Sequence, residues 1–233
     1  MSVRPVEERT LWLGVDIGKV VDPAALSLLE RVRTFVPGPF QAGFQVHGSW
    51  STSYGIRHLE RLKLGTPYPL VAERVGAVCE SLAASSPVSG PLMEVVVDVT
   101  GVGRPVFDML VAIISAKRLR VRVVGVNYTG GNLPSMAADG SSIWNLPKRD
   151  LVACLVLLFQ SRELRIAERL PEAQVLVNEL VNFQQTISDA GRDSYGNDPK
   201  RAKNDDYVNA SALAAWRARI REPRELGERQ RLL

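Results

Sequence analysis

The sequence predicts an α/β protein in which three antiparallel strands are followed by parallel strands in one mixed sheet, with helices flanking both faces. Three observations carry this. Two apolar, partly β-branched runs at 11–19 and 24–33 are separated only by "VVDP", as in neighbouring strands joined by a tight turn. The run "LMEVVVDV" at 92–99 is apolar on both faces, as a central strand of a covered sheet must be. Around it, segments with apolar residues at helical spacing alternate with further strand-like runs. The chain has 233 residues, 45% of them hydrophobic, enough for one domain with its own core.

Each element can be justified in order. A polar lead covers 1–10, and a third strand is expected in "GFQVHGSWSTS", after the turn-rich "VPGPFQAG". A helix at 67–85 places Val71, Val75, Val78 and Leu82 along one face and stops at "SSPVSGP". After the central strand, Gly101 and Gly103 break the chain; Pro105 stands near the start of a helix whose inner stripe is Phe107, Leu110, Val111 and Ile114. "LRVRVVGVNY" is the next strand, and 129–145 is a long loop, a length that usually marks function or motion.

From about Pro147, "PKRDLVACLVLLFQ" is apolar nearly all round and predicts a buried helix. Another helix starts at Pro171, with Leu176, Leu180 and Phe183 on one side. The polar stretch "SDAGRDSYGNDPKRAK" then leads to a last helix at "NDDYVNASALAAWRA". Its small residues Ala210, Ser211, Ala212, Ala214 and Ala215 would let it approach the sheet closely. The domain thus spans 11–220, and a basic tail covers 221–233.

Composition narrows the function only slightly. There are 29 Lys and Arg against 25 Asp and Glu, a formal charge of +4, which permits an anionic partner without demanding one. Cys79 and Cys154 lie in apolar helical patterns with no CxxC, as free thiols of a reducing compartment do. No apolar stretch approaches the ~20 residues of a membrane span, and "MSVRPVEERT" does not read as a signal peptide, so a cytoplasmic protein is expected.

The chemistry lies in the acids. Asp16 sits in the first strand and Asp98 near the end of the central one; a right-handed crossover through the helix at 67–85 would set these strands side by side and parallel. Two neighbouring carboxylates repel, and a shared proton or a bound cation resolves the repulsion. An oxygen-only cluster favours a hard ion such as Mg²⁺ or Mn²⁺. The "NDD" at 204–206 adds acids at a helix start, where one residue can cap and another can point forward.

Five segments in this order, "GVDIGKVVDPAAL", "RHLERLKLGTPYPLV", "VVVDVTGVGRPVFDML", "LPKRDLV" and "NDDYVNASALAAW", resemble the C-terminal nuclease domain of the large terminase subunit of tailed bacteriophages, which has a ribonuclease H-like fold. The resemblance spans about residues 10 to 220. It implies a divalent-metal-dependent endonuclease that cuts concatemeric double-stranded viral DNA during packaging in the cytoplasm of an infected bacterium. It also implies an ATPase motor domain, a small terminase subunit and a portal protein as partners.

Carried over by position, Asp16, Asp98, Asp205 and Asp206 are the implied catalytic and metal-binding residues, with two Mg²⁺ or Mn²⁺ ions and Asp16 as the carboxylate they share. Asn204 stands where many relatives have His, so a proton-transfer role at that position is lost here. Arg57 and Arg61, in the region after the third strand, and Lys200, Arg201 and Lys203 are the expected phosphate contacts.

Plainer roles suit other residues. Asp22 before Pro23 forms a turn, Asp139 belongs to a loop and Asp150 to a helix's first turn, and His47 and His58 are surface or packing residues. Lys148 either reaches a phosphate or solvates a helix end, and the second reading is preferred. No GxxxxGK[ST] occurs, so the motor is not in this sequence. Three rival functions remain open: a four-way-junction resolvase on the same fold, an actin-like or sugar-kinase-like ATPase for which "VDIG" and "DVTGVG" would be phosphate loops, and an inactive docking module.

Overall fold

The computed structural model describes residues 6–18, 22–38, 40–41, 44–45, 48–85, 92–129, 133–187, 193–197 and 204–221. Its centre is an eight-stranded mixed sheet. Strand β1 (Val6–Asp16) starts within the stretch expected as a lead. It pairs antiparallel with β2 (Ala25–Val36) on one side and parallel with β6 (Leu92–Asp98) on the other. Two short strands, β3 (Phe40–Gln41) and β4 (Phe44–Gln45), form a separate hairpin before β5 (Ser49–Arg61). Strand β7 (Val121–Thr129) runs parallel to β6, with β8 (Ser135–Met136), β9 (Ile143–Pro147) and β10 (Leu164–Ile166) at the margins, giving the order β10-β5-β2-β1-β6-β7-β9-β8.

Helices α1 (Tyr68–Ala84) and α2 (Gly103–Ala116) belong to the connections β1 to β6 and β6 to β7. Both parallel connections step the same way across the sheet, so crossovers of one hand put both helices on one face. There they pack on Leu13, Val15, Val95 and Val97. The other face is covered by α3 (Lys148–Gln160), α4 (Ala173–Asn182) and α5 (Asp206–Ile220), packed on Trp12, Leu29, Val96 and Val126. A two-stranded ribbon, β11 (Phe183–Ile187) with β12 (Asp193–Asn197), follows α4. Because β6 is covered on both faces, its run of valines has no polar alternation to show.

Five expectations need correction. The third strand lies later than expected and includes Arg57 and Arg61. Leu28 pairs with His58 and Leu29 with Ile56, so Arg57 is the extra residue of a bulge that resets the alternation and hides the strand's period. The loop 129–145 contains β8 and the start of β9. The polar stretch after α4 contains β12. Helix α3 is buried only on the side of Leu151, Leu155 and Leu158, with Val156 and Leu157 exposed; likewise Val106, not the exposed Val111, completes the inner stripe of α2.

Candidate active site

The site forms where β1 and β6 end. Val15 is paired with Val97, which brings the following residues, Asp16 and Asp98, to neighbouring strand ends about 4.8 Å apart in backbone spacing. Val15 and Val97 face α1 and α2, so alternation turns both aspartates to the opposite face, under the start of α5. Here the antiparallel β2 and the parallel β6 flank β1.

Local turns fix each acid. Thr100 donates its backbone N–H to Asp98 Oδ1 at 2.8 Å, and its hydroxyl Oγ1 accepts the N–H of Tyr128 at 2.8 Å, tying the turn after β6 to β7. Gly101 has φ +67, a left-handed conformation that favours glycine. Gly103 has no room for a side chain, since a Cβ would lie 2.0 Å from the Asp98 carbonyl oxygen.

Helix α5 supplies the third acid and reaches it by close packing. A Cβ on Gly14 would fall 1.8 Å from the Ala210 carbonyl oxygen, so helix and strand touch backbone to backbone. Ser27 and Ser211 share a buried hydroxyl hydrogen bond of 2.8 Å across the same interface. Next to Ala210 in the chain, Asn209 donates its side-chain amide to Asp16 Oδ2 at 3.1 Å and to Asp205 Oδ1 at 3.3 Å. Lys148 Nζ lies 3.9 Å from Asp205 Oδ2, and 5.8 Å from the centre of the Tyr128 ring.

The electrostatics are those of an acid cluster short of counter-charge. Burial pushes the Asp16 carboxyl well above the usual carboxylate range, and Asp98 and then Asp206 push it further, against the Asn209 hydrogen bond and the Lys148 charge. The Tyr128 hydroxyl is raised by burial and then by Asp98, Asp16 and Asp205, so all three carboxylates act on one ring.

The donor set is oxygen-rich and anionic, which suits a hard cation. Among the described residues, no group of three or more Asp, Glu, His or Cys side chains is drawn together closely enough to hold a metal ion. Asp16 and Asp205 are bridged through the Asn209 amide.

Several other expected residues are engaged in pairings of their own. Asp206 is buried, its Oδ2 3.3 Å from Arg61 Nε, and its charge still acts on Asp16. Burial raises its carboxyl to about 7 against the pull of Arg61, with Glu179, Asp205 and Asp22 adding to the rise. Arg61, expected to contact DNA, is turned inward: it pairs with Glu179 and Asp206 and lies 4.4 Å over the Tyr207 ring. Arg57 is half-exposed and bonds Glu30 at 2.8 Å. Lys200, Arg201, Lys203 and His47 lie outside the described residues. His58 pairs with Glu60, as a surface residue would. Asn204 is half-buried immediately before the helix start.

Sequence reading overlooked Asn209, Thr100, Tyr128 and Glu179. Asn209 had a legible signal, because it lies one helical turn after Asp205 and so on the same side of α5. The others depend on turns and pairings between distant segments.

No family model matches the sequence, and neither does any curated protein. Among solved structures, the chain is similar to the human cytomegalovirus terminase nuclease domain (Mn soaked), at 12% identity and a TM-score of 0.54, covering 90% of this chain and 82% of that one. It also aligns with Thermus thermophilus RuvC at 14% identity and a TM-score of 0.35, over 91% of this chain and 98% of that one. The same protein in complex with a Holliday junction substrate aligns at 12% and 0.37; both superpositions are too loose to bear on the comparison. The mixed sheet, its strand order and the first of these likenesses show that the chain has a ribonuclease H-like fold.

Proposed function

We propose that the protein is a divalent-metal-dependent DNA endonuclease, working as a terminase nuclease does on double-stranded viral DNA during packaging. The observation that carries the reading is the meeting of Asp16, Asp98 and Asp205 at one end of the sheet, with Asp16 held well above the usual carboxylate range. A protein seldom maintains such a cluster unless it serves a ligand or a reaction.

In this reading Asp16, Asp98 and Asp205 hold Mg²⁺ or Mn²⁺, two ions in the full site. Bound there, the metal supplies a Lewis acid for the scissile phosphate and lowers the pKa of water. The Asn209 amide orients Asp16 and Asp205 toward each other, and the Thr100 N–H fixes Asp98. Lys148 offsets part of the negative charge and stands where a phosphate would enter. DNA is held by Lys200, Arg201 and Lys203, which immediately precede "NDD" in the chain, with Arg57 farther out. Asp206 is left out of the ligand set, because it is paired with Arg61.

The turn after β6 favours this over a nucleotide-binding loop. In "DVTGVG" the Thr100 N–H is spent on Asp98 rather than left for a phosphate.

The test is cleavage of supercoiled plasmid, linear duplex and a four-way junction with Mg²⁺, Mn²⁺ or a chelator. The wild type should cut plasmid and linear duplex with metal only, and Asp16→Asn should fall to background while remaining folded. Cutting confined to the junction would make the protein a resolvase, and full activity of Asp16→Asn would remove the site assignment.

A further inference from the structure

A helix leaves its first backbone N–H groups without partners, and an aspartate at the N-cap normally accepts one of them with its own carboxylate. Helix α5 departs from this. Asp205 occupies the N-cap, yet its side chain makes no capping hydrogen bond. Its oxygens are turned instead to Asn209 and Lys148.

The cap comes from another helix. Glu179 of α4, 3% exposed, accepts the N–H of Tyr207 at 2.9 Å and that of Val208 at 3.2 Å through one oxygen, Oε2. Its other oxygen, Oε1, is paired with Arg61, whose guanidinium also covers the Tyr207 ring. A buried carboxylate and a partly buried arginine from two other elements thus do what the N-cap residue would ordinarily do alone.

We propose that Glu179, held by Arg61, is a positioning residue for Asp205: by capping α5 from outside, it releases the Asp205 carboxylate from capping and leaves it available to a metal ion. This rests on the nuclease reading given above. Removing Glu179 would let Asp205 swing back onto Tyr207 and Val208, preserving the helix at the expense of the ligand.

The experiment compares Mn²⁺ binding by the metal-free protein, amide exchange at Tyr207 and Val208, and chemical denaturation for the wild type, Glu179→Gln, Glu179→Ala, Asp205→Asn and Glu179→Ala/Asp205→Asn. Glu179→Gln keeps an acceptor oxygen and should bind Mn²⁺ within a few-fold of the wild type. Glu179→Ala should lose on the order of 10-fold in affinity, as loss of an outer partner of a metal ligand does. In the Glu179→Ala background, Asp205→Asn should cost little further affinity but should speed exchange at Tyr207 and Val208 and lower stability, because Asp205 has become the cap.

Wild-type affinity in folded Glu179→Ala would overturn the proposal, and so would a Glu179→Gln variant that falls as far as Ala. Should Glu179→Ala not fold, Glu179→Met, which fills similar volume without an acceptor oxygen, takes its place, and wild-type affinity in the folded Met variant overturns the proposal. A wild type that binds no Mn²⁺ would defeat the nuclease reading instead, and the exchange and denaturation cycle would still report whether Asp205 takes over the cap.

Discussion

The two ends of helix α5 each cover a carboxylate rising from the central strands, and the two are treated in opposite ways. At one end Asp16 lies beside Asp98 and is linked through Asn209 to Asp205, with Lys148 as a nearby cation, and its carboxyl is driven up by burial and by the charges of Asp98 and Asp206. At the other end Glu94, 1% exposed, accepts from Arg217 at 2.7 and 3.1 Å, from Trp12 at 3.2 Å and from Arg221 at 3.3 Å. Arg122 stands 3.8 Å away. Burial pushes Glu94 up as well, but the hydrogen bonds and charge of Arg217, with Arg221 and Trp12, prevail and leave it below its ordinary value.

Burial alone therefore does not identify a working acid. What separates the two is the surrounding charge: Glu94 is surrounded by cations and fastens the helix to the sheet, whereas Asp16 sits among acids whose repulsion a proton or a cation would relieve.

The comparison can be broken most forcefully at Glu94. Glu94→Gln removes the charge that three arginines share and leaves Arg217 buried without an ionic partner, so chemical denaturation should show a loss of about 3–5 kcal/mol. A loss near zero would mean that this end does not anchor α5. Gly14→Ala comes next, since its methyl group would strike the Ala210 carbonyl and push the helix off β1. A cost of about 1–3 kcal/mol is expected, together with reduced Mn²⁺ binding because Asp205 moves with the helix. Unchanged stability and binding would show that the close contact is not needed.

The smallest effect concerns pH. Asp16 is raised, so the folded state takes up a proton that the unfolded chain has already released. Its contribution is therefore most favourable below the unfolded value of about 3.9 and is lost as pH rises through the folded value. Glu94 has the opposite sign: its contribution is present above about 4.3 and is lost as pH falls toward its lowered value. In metal-free protein at pH 8, Asp16→Asn should raise the melting temperature by a few degrees, and by less at pH 5. Mg²⁺ should stabilise the wild type and not the variant. A variant less stable than the wild type at pH 8 without metal would contradict the sign.

Much of the fold was legible because the central strands and α5 carry strong local signals. A run of valines ending in Asp98 can only be a covered strand, and the alanine-rich face after "NDD" fits a helix pressed against a sheet. The missed pieces had weak signals for physical reasons. Strands β8 and β10 are too short for a period to emerge, and β5 loses its alternation at the Arg57 bulge. That the strands of Asp16 and Asp98 end side by side could be read from the order of elements. The pairing of Asp206 with Arg61, and of Arg61 with Glu179, could not, because these residues are far apart in sequence. The same distance explains why Arg61 reads as a surface cation until β5 and α4 are brought together.

The central claim is that Asp16, Asp98 and Asp205 together hold a divalent ion while Asp206 does not, and Mn²⁺ titration of the stripped protein tests it most directly. Asp16→Asn, Asp98→Asn and Asp205→Asn should each weaken binding beyond the roughly 10–100-fold that an outer partner is worth, and Asp206→Asn should stay within a few-fold of the wild type. Retained affinity in Asp205→Asn with loss in Asp206→Asn, or no binding by the wild type, would contradict the account.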